Sequence, residues 1–126
     1  MTNNINLLIF TLFKYFLITN IIEILISILL GIRKLKNFLC IILINFVTNI
    51  SINLILLNFN IKTFFKIVLE IIIMIIECYL YYKCFEVEDK FFLKKIPNKK
   101  IIFLLYSIII NILSFFIGML FYNFNI

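Results

Sequence analysis

Four runs of apolar side chains, at about 10–30, 38–57, 64–82 and 101–122, constrain this chain more than anything else in it. Each supplies the ~20 residues that a helix needs to cross a hydrocarbon core. Hydrophobic residues make up 65% of the 126 and the mean hydropathy is +1.20, whereas soluble domains are about half apolar. A water-soluble fold of this size buries only ~60–70% of the surface its unfolded chain exposes, so lipid must be the solvent for the remainder. The reading is an all-α, integral membrane bundle of four transmembrane helices forming one domain, 1–126. The abundance of Ile, Asn, Lys and Phe, without Trp or His, points to an AT-rich genome and, with the spans, to a bacterial cytoplasmic membrane. The first run lacks a basic lead and a small-x-small site after it, so it is expected to be a span rather than a cleaved signal peptide.

The connectors set the orientation. Residues 31–37 form a short basic link with Arg33, Lys34 and Lys36. Residues 58–62 form a tight turn, which makes the second and third helices antiparallel neighbours. The longer connector 83–100 carries Lys83, Lys90, Lys94, Lys95, Lys99 and Lys100 against Glu86, Glu88 and Asp89, and its Pro97 suits the first turn of the last helix. The first and third connectors thus hold nine of the twelve basic residues. Basic loops stay on the cytoplasmic side, so both termini are expected outside. Lys14, Lys62 and Lys66 would snorkel to the outer surface. Tyr79, Tyr81, Tyr82 and Tyr106 are expected at the inner interface and Tyr15 and Tyr122 at the outer one, as an aromatic belt. This charge pattern explains the net +6 without a nucleic-acid partner.

The polar residues inside the spans are few and ordered. At ~100° per residue, Glu70 and Glu77 share a stripe with Thr63, Lys66, Met74 and Tyr81. The first helix gathers Thr19, Asn20, Glu23, Ser27 and Gly31 on one arc, and the second gathers Asn45, Thr48, Asn49 and Asn53. The fourth aligns Ser107, Asn111, Ser114 and Gly118. Four single polar stripes describe a bundle with a polar interior. At ~1.5 Å rise per residue, Glu23, Asn45 and Glu77 form a layer roughly 8–12 Å from the cytoplasmic edge, with Glu70, Asn49, Asn111 and Ser114 nearer the midplane. Such oxygen-rich groups suit protons, hard cations or a cationic solute.

Bland explanations stand beside this one. Small and amide residues often only knit transmembrane helices together, which is the simpler account of the Ser107–Gly118 stripe. Lys66, one turn from Glu70, is placed for a structural ion pair. Cys40, Cys78 and Cys84 read as small apolar fillers in a reducing compartment. Lys94, Lys95, Lys99 and Lys100 are either topology anchors or a surface for anionic lipid headgroups, with Phe85, Phe91 and Phe92 in the interface. The absence of His removes His-based hydrolases, and no phosphate-cradling glycine loop is present. No cofactor is indicated.

Two resemblances follow from these residues. Four spans with Glu23 in the first resemble the small multidrug-resistance transporters, though the glycine-rich packing and the tryptophan of that family are missing. The order Glu23, Asn45, Thr48-Asn49, Glu70, Glu77, Asn111, Gly118 resembles a group of small four-span proteins of low-GC bacteria over nearly the whole chain. In that group the second helix reads Thr-Asn-Pro and a Gly follows the second Glu, where this chain has Ile50 and Cys78. The group implies a fold but no activity.

Three functions are compatible with the pattern. The first is a small transport or channel-like protein, alone or as a homodimer, that binds a proton, a cation or a cationic solute at Glu23, Asn45, Asn49, Glu70, Glu77, Asn111 and Ser114. The second is a non-catalytic subunit of a larger membrane complex. The third is an enzyme using Glu as general base, although no nucleophile or metal cluster accompanies the glutamates. If Glu23 and Glu77 converge beside Asn45, two carboxylates in so dry a place are expected to share one proton or hold a cation.

Overall fold

The computed structural model describes residues 2–59 and 62–123. Within them the chain is all-α: α1 (Thr2–Leu29), α2 (Leu35–Asn58), α3 (Thr63–Cys84), a 3₁₀ turn at Phe92–Lys95, and α4 (Lys99–Asn123). There are no strands among the described residues. The turn between α2 and α3 includes residues 60 and 61, which lie outside the described residues, as does the side chain of Tyr122. Three helices carry stretches long and apolar enough to cross a membrane: Asn4–Leu29, Leu35–Leu56 and Lys99–Phe121. The remaining helix, α3, is interrupted by Lys66, Glu70, Glu77 and Lys83.

The helices form a ring. α1 packs on α2 and α4, and α3 packs on α2 and α4, while neither diagonal pair is in close contact among the described residues. The centre is therefore available to side chains or to empty space.

The local chemistry of the helix ends explains where the chain turns. α1 contains neither Gly nor Pro and stops at Gly31, whose φ is +95°. Gly31 N–H donates to the Ile28 carbonyl (3.0 Å) and Ile32 N–H to the Ser27 carbonyl (2.9 Å). These are the two bonds of a Schellman ending, in which glycine adopts the left-handed conformation and the next residue packs down. Ile32 is fully buried. A Cβ on Gly31 would stand 1.9 Å from the Lys90 carbonyl oxygen, so this position also admits close approach by the connector. At α4, Asn98 Oδ1 accepts from Lys100 N–H (3.0 Å) and caps the helix. Pro97 consequently stands just before the cap rather than in the first turn.

The connector 85–98 folds back under the bundle instead of lying out in the interface. Phe92 N–H donates to the Leu30 carbonyl (2.8 Å). The buried Glu88 carboxylate accepts from Arg33 N–H (2.9 Å), Lys34 N–H (2.8 Å) and Asn37 Nδ2 (2.9 Å). α2 lacks a side-chain cap of its own at Lys34, and Glu88 supplies the negative charge that a helix N-terminus favours. Asn37, fully buried, also donates to the Glu86 carbonyl (2.8 Å) and accepts from Glu86 N–H (2.9 Å). Outside this knot, Lys36 and Lys34 both bond the Glu86 carboxylate, at 2.5 and 3.0 Å. Those hydrogen bonds hold the Glu86 carboxyl down at about 2. Asp89 is likewise held below its ordinary range by Lys94.

Above the connector lies an aromatic plug. Tyr81, Phe85, Phe91, Phe103 and Tyr106 are buried and stack edge to face, with centroids at 5.1 Å for Tyr81–Tyr106 and 5.8 Å for Phe91–Tyr106. This corrects two expectations. Tyr81 and Tyr106 are core residues rather than belt residues, and of the three connector phenylalanines only Phe92, 70% exposed, faces outward. Tyr79 and Tyr15 are exposed. The three cysteines are free. Away from the plug the helices bury little. The first half of α1 and the second half of α4 are largely exposed, so the bundle is tight at the connector end and open at the other.

Candidate polar cavity

Between the four helices, among the described residues, lies a partly open cavity of about 660 Å³. Its closed end rests on the aromatic plug. Its exposed lining residues, Lys14, Tyr15, Glu70, Phe115, Met119 and Phe121, lie towards the end of the bundle away from the plug. Glu23, Asn45, Asn49, Glu70, Glu77, Asn111 and Ser114 all line it. The stripes on the four helices therefore do turn inward on a common space.

At the closed end Glu23 and Glu77 are 1% and 2% exposed, and both line the same cavity. Their partners differ. Glu77 accepts from Thr48 Oγ1 at Oε1 (2.8 Å) and from Asn111 Nδ2 at Oε2 (2.6 Å). One carboxylate thus ties α2, α3 and α4 together. Glu23 accepts from Asn45 Nδ2 at Oε2 (2.5 Å), a bond between α1 and α2. Asn45 is fully buried, and its Oδ1 has no hydrogen-bond partner. Below, Ser27 Oγ bonds the Glu23 carbonyl (2.6 Å) and the Tyr106 hydroxyl (2.7 Å). The neighbouring Tyr81 hydroxyl is buried without a partner.

Further up, the groups are wetter. Asn49, Asn111 and Ser114 are half-buried and Glu70 is exposed at the wall. Lys66 is exposed and forms no ion pair with Glu70. One-turn spacing permits such a pair, but Glu70 turns to the cavity. The Ser107–Gly118 stripe divides. Ser107 is packing glue, donating to the Met74 carbonyl of α3 (2.9 Å), whereas a Cβ at Gly118 would meet nothing within 4 Å because that position borders the cavity.

Four polar lining residues were not singled out as site residues from the sequence: Lys14, Tyr15, Thr19 and Thr48. Thr19 and Thr48 lie on the polar stripes and could have been added. Lys14 could not, because nine residues separate it from Glu23, about half a turn around the helix. Lys94, Lys95, Lys99 and Lys100 are all exposed on the connector side, far from the cavity in the fold. Lys94 pairs with Asp89, and Lys99 sits over the Tyr82 and Phe103 rings at 5.3 and 5.9 Å. Among the described residues no cluster of His, Cys, Asp and Glu is arranged to hold a metal ion.

Comparisons of the chain with protein-family models, with curated proteins and with solved structures found no match.

Proposed function

We propose that the chain spans the membrane four times, with α3 as the fourth span, and acts as a small transport or channel-like protein. In this reading its cavity takes up a proton, a cation or a cationic solute. The observation that carries the proposal is the convergence of two almost fully buried carboxylates, Glu23 and Glu77, at the closed end of a 660 Å³ cavity. Ionisable residues inside a membrane are expensive and mark solute or proton paths. A purely structural role would not require an open space beside them.

A spanning α3 is supported by its faces. Ile67, Ile71, Ile72, Ile75 and Ile76 point outward and suit lipid, while Glu77 turns inward. A charged group at a span centre costs about 2.5–3.5 kcal/mol on insertion scales, and much of that cost falls away when the group faces a polar cavity. With the basic connectors cytoplasmic and the termini outside, the cavity mouth faces outward and the aromatic plug closes the cytoplasmic side.

Two measurements test the proposal together. Cysteine labelling from outside, in a background without the native cysteines, should modify position 3 and spare position 95. In detergent, thermal unfolding of the full chain should respond to pH or to added Na⁺, Mg²⁺, Ca²⁺ or an organic cation, and Glu23→Gln should abolish the response. If the wild type and Glu23→Gln respond alike, the carboxylates are structural and the transport reading falls.

A further inference from the structure

Resting on the cationic-solute reading above, we infer that the closed end of the cavity is a subsite for a protonated amine bearing at least one N–H, the rest of the solute lying along the mixed walls above it. The two glutamates are not equivalent there. Both oxygens of Glu77 are already taken by Thr48 and Asn111. Glu23 accepts from Asn45 at Oε2 and has the Ser114 hydroxyl beside it, a hydroxyl that also bonds the Asn111 carbonyl, which leaves Glu23 the less committed carboxylate and the one able to face a ligand.

Asn45 adds the second requirement. Its Nδ2 is committed to Glu23, which fixes the amide so that Oδ1 is the unsatisfied end. A buried acceptor without a donor is costly, and buried polar groups are almost always paired. The ligand that completes the site therefore brings a positive charge to Glu23 and a hydrogen-bond donor to Asn45. An alkylammonium group does both. A quaternary ammonium brings only the charge.

The cavity's size argues the same way. A volume of about 660 Å³ lies in the range of about 300–1,000 Å³ occupied by organic ligands, and it is far larger than a bare ion needs. The walls above the carboxylate pair are mixed: Ile18, Ile52, Ile73, Phe115 and Met119 offer apolar surface between Thr19, Asn49 and Glu70. Lys14 and Glu70 both line the upper part of the cavity, which therefore carries charges of both signs.

The test uses the full chain in lipid nanodiscs, titrated calorimetrically with hexylammonium and with N,N,N-trimethylhexylammonium, with empty nanodiscs as the reference. The two probes share tail and charge and differ in the N–H groups. Hexylammonium should bind about ten- to a hundred-fold more tightly, the span expected for a donor to a charged or buried acceptor. Asn45→Leu should collapse that ratio, and Glu23→Gln should remove binding of both probes. If Asn45→Leu does not fold, the wild-type ratio still decides. Equal affinities that vanish in Glu23→Gln would overturn the amine subsite and leave the broader cation reading standing. A hexylammonium preference that survives Glu23→Gln would also overturn the subsite. If neither probe binds above the empty nanodiscs, and pH and inorganic cations leave the melting of wild type and Glu23→Gln indistinguishable, both readings fail.

Discussion

Gly31→Ala should be among the most damaging single-methyl additions in this protein. The substitution meets two independent penalties. An L-residue with φ near +95° pays the left-handed cost of about 1–2 kcal/mol. The added Cβ also stands 1.9 Å from the Lys90 carbonyl oxygen and 2.7 Å from its carbon. Both are backbone atoms, so no rotamer change relieves the clash, and the connector must retreat by roughly 1.5 Å to reach ordinary contact distances. That retreat strains the Phe92 N–H bond to the Leu30 carbonyl, worth about 1 kcal/mol. It also loosens Phe91, now 3% exposed, and half-uncovering such a side chain costs about 1 kcal/mol or more. The combined loss should be about 3–4 kcal/mol by these terms. Equilibrium unfolding in micelles gives the energy, and the rate of trypsin cleavage at Lys94 and Lys95 reports whether the connector has come loose. Gly31→Asn separates the causes: asparagine tolerates the left-handed conformation but still carries a Cβ, so it should be nearly as damaging if the clash dominates. A Gly31→Ala protein within about 0.5 kcal/mol of wild type, the range of innocuous surface changes, with unchanged cleavage, would refute the seating of the connector on Gly31.

Glu77→Gln should destabilise the bundle by about 1–3 kcal/mol, because one of two acceptor oxygens becomes a donor facing Thr48 or Asn111; a double-mutant cycle with Asn111→Ala in micelles should show coupling above about 0.5 kcal/mol, and additive effects would remove Glu77 as the tie between helices. The two buried tyrosines should respond differently to loss of the hydroxyl. Tyr106→Phe forfeits the bond to Ser27 and should cost about 1 kcal/mol, whereas Tyr81→Phe deletes an unpartnered polar group and should be neutral or stabilising; unfolding midpoints that fall equally would contradict the assigned partners. The Glu86 carboxyl is depressed by Lys36 and Lys34 to about 2 from an ordinary 4.5, so the stability it contributes is present above pH 4.5 and is lost as pH falls towards 2. The melting difference between wild type and Glu86→Gln should therefore shrink over that window and be flat above it.

What could be read from the sequence, and what could not, follows from the range of each signal. Apolar runs locate helices because a helix in lipid is a local object, and the four observed helices match the predicted runs with a few extra residues at most ends, α1 starting eight residues early and stopping one residue short. The polar stripes located the cavity walls for a similar reason: a 3.6-residue period fixes which side chains share a face. Periodicity could not say which of Glu23 and Glu77 would be fully partnered, since Thr48 and Asn111 lie 29 and 34 positions from Glu77. Tyr81 and Tyr106 were assigned to the interface by depth alone, and depth is silent about direction. The connector's fold-back depends on Asn37 and Glu88, polar residues in a charged segment with nothing local to mark them as buried.

That fold-back also orders events during synthesis. The α2 entrance exposes the amides of Arg33 and Lys34, and the carboxylate that occupies them arrives with Glu88, 54 positions after Lys34. Until then the first two helices form a hairpin with an unfilled anion seat at its tip and no aromatic plug beside it. The connector end can therefore set only after the ribosome has passed the third helix, and the plug is completed by Phe103 and Tyr106 from the fourth. A nascent chain arrested before residue 88 should leave the Arg33–Lys34 link open to protease, and one arrested after α4 has emerged should not. The tightest part of the molecule is thus the last to be assembled, and the cavity acquires a closed floor only when the final helix is in place.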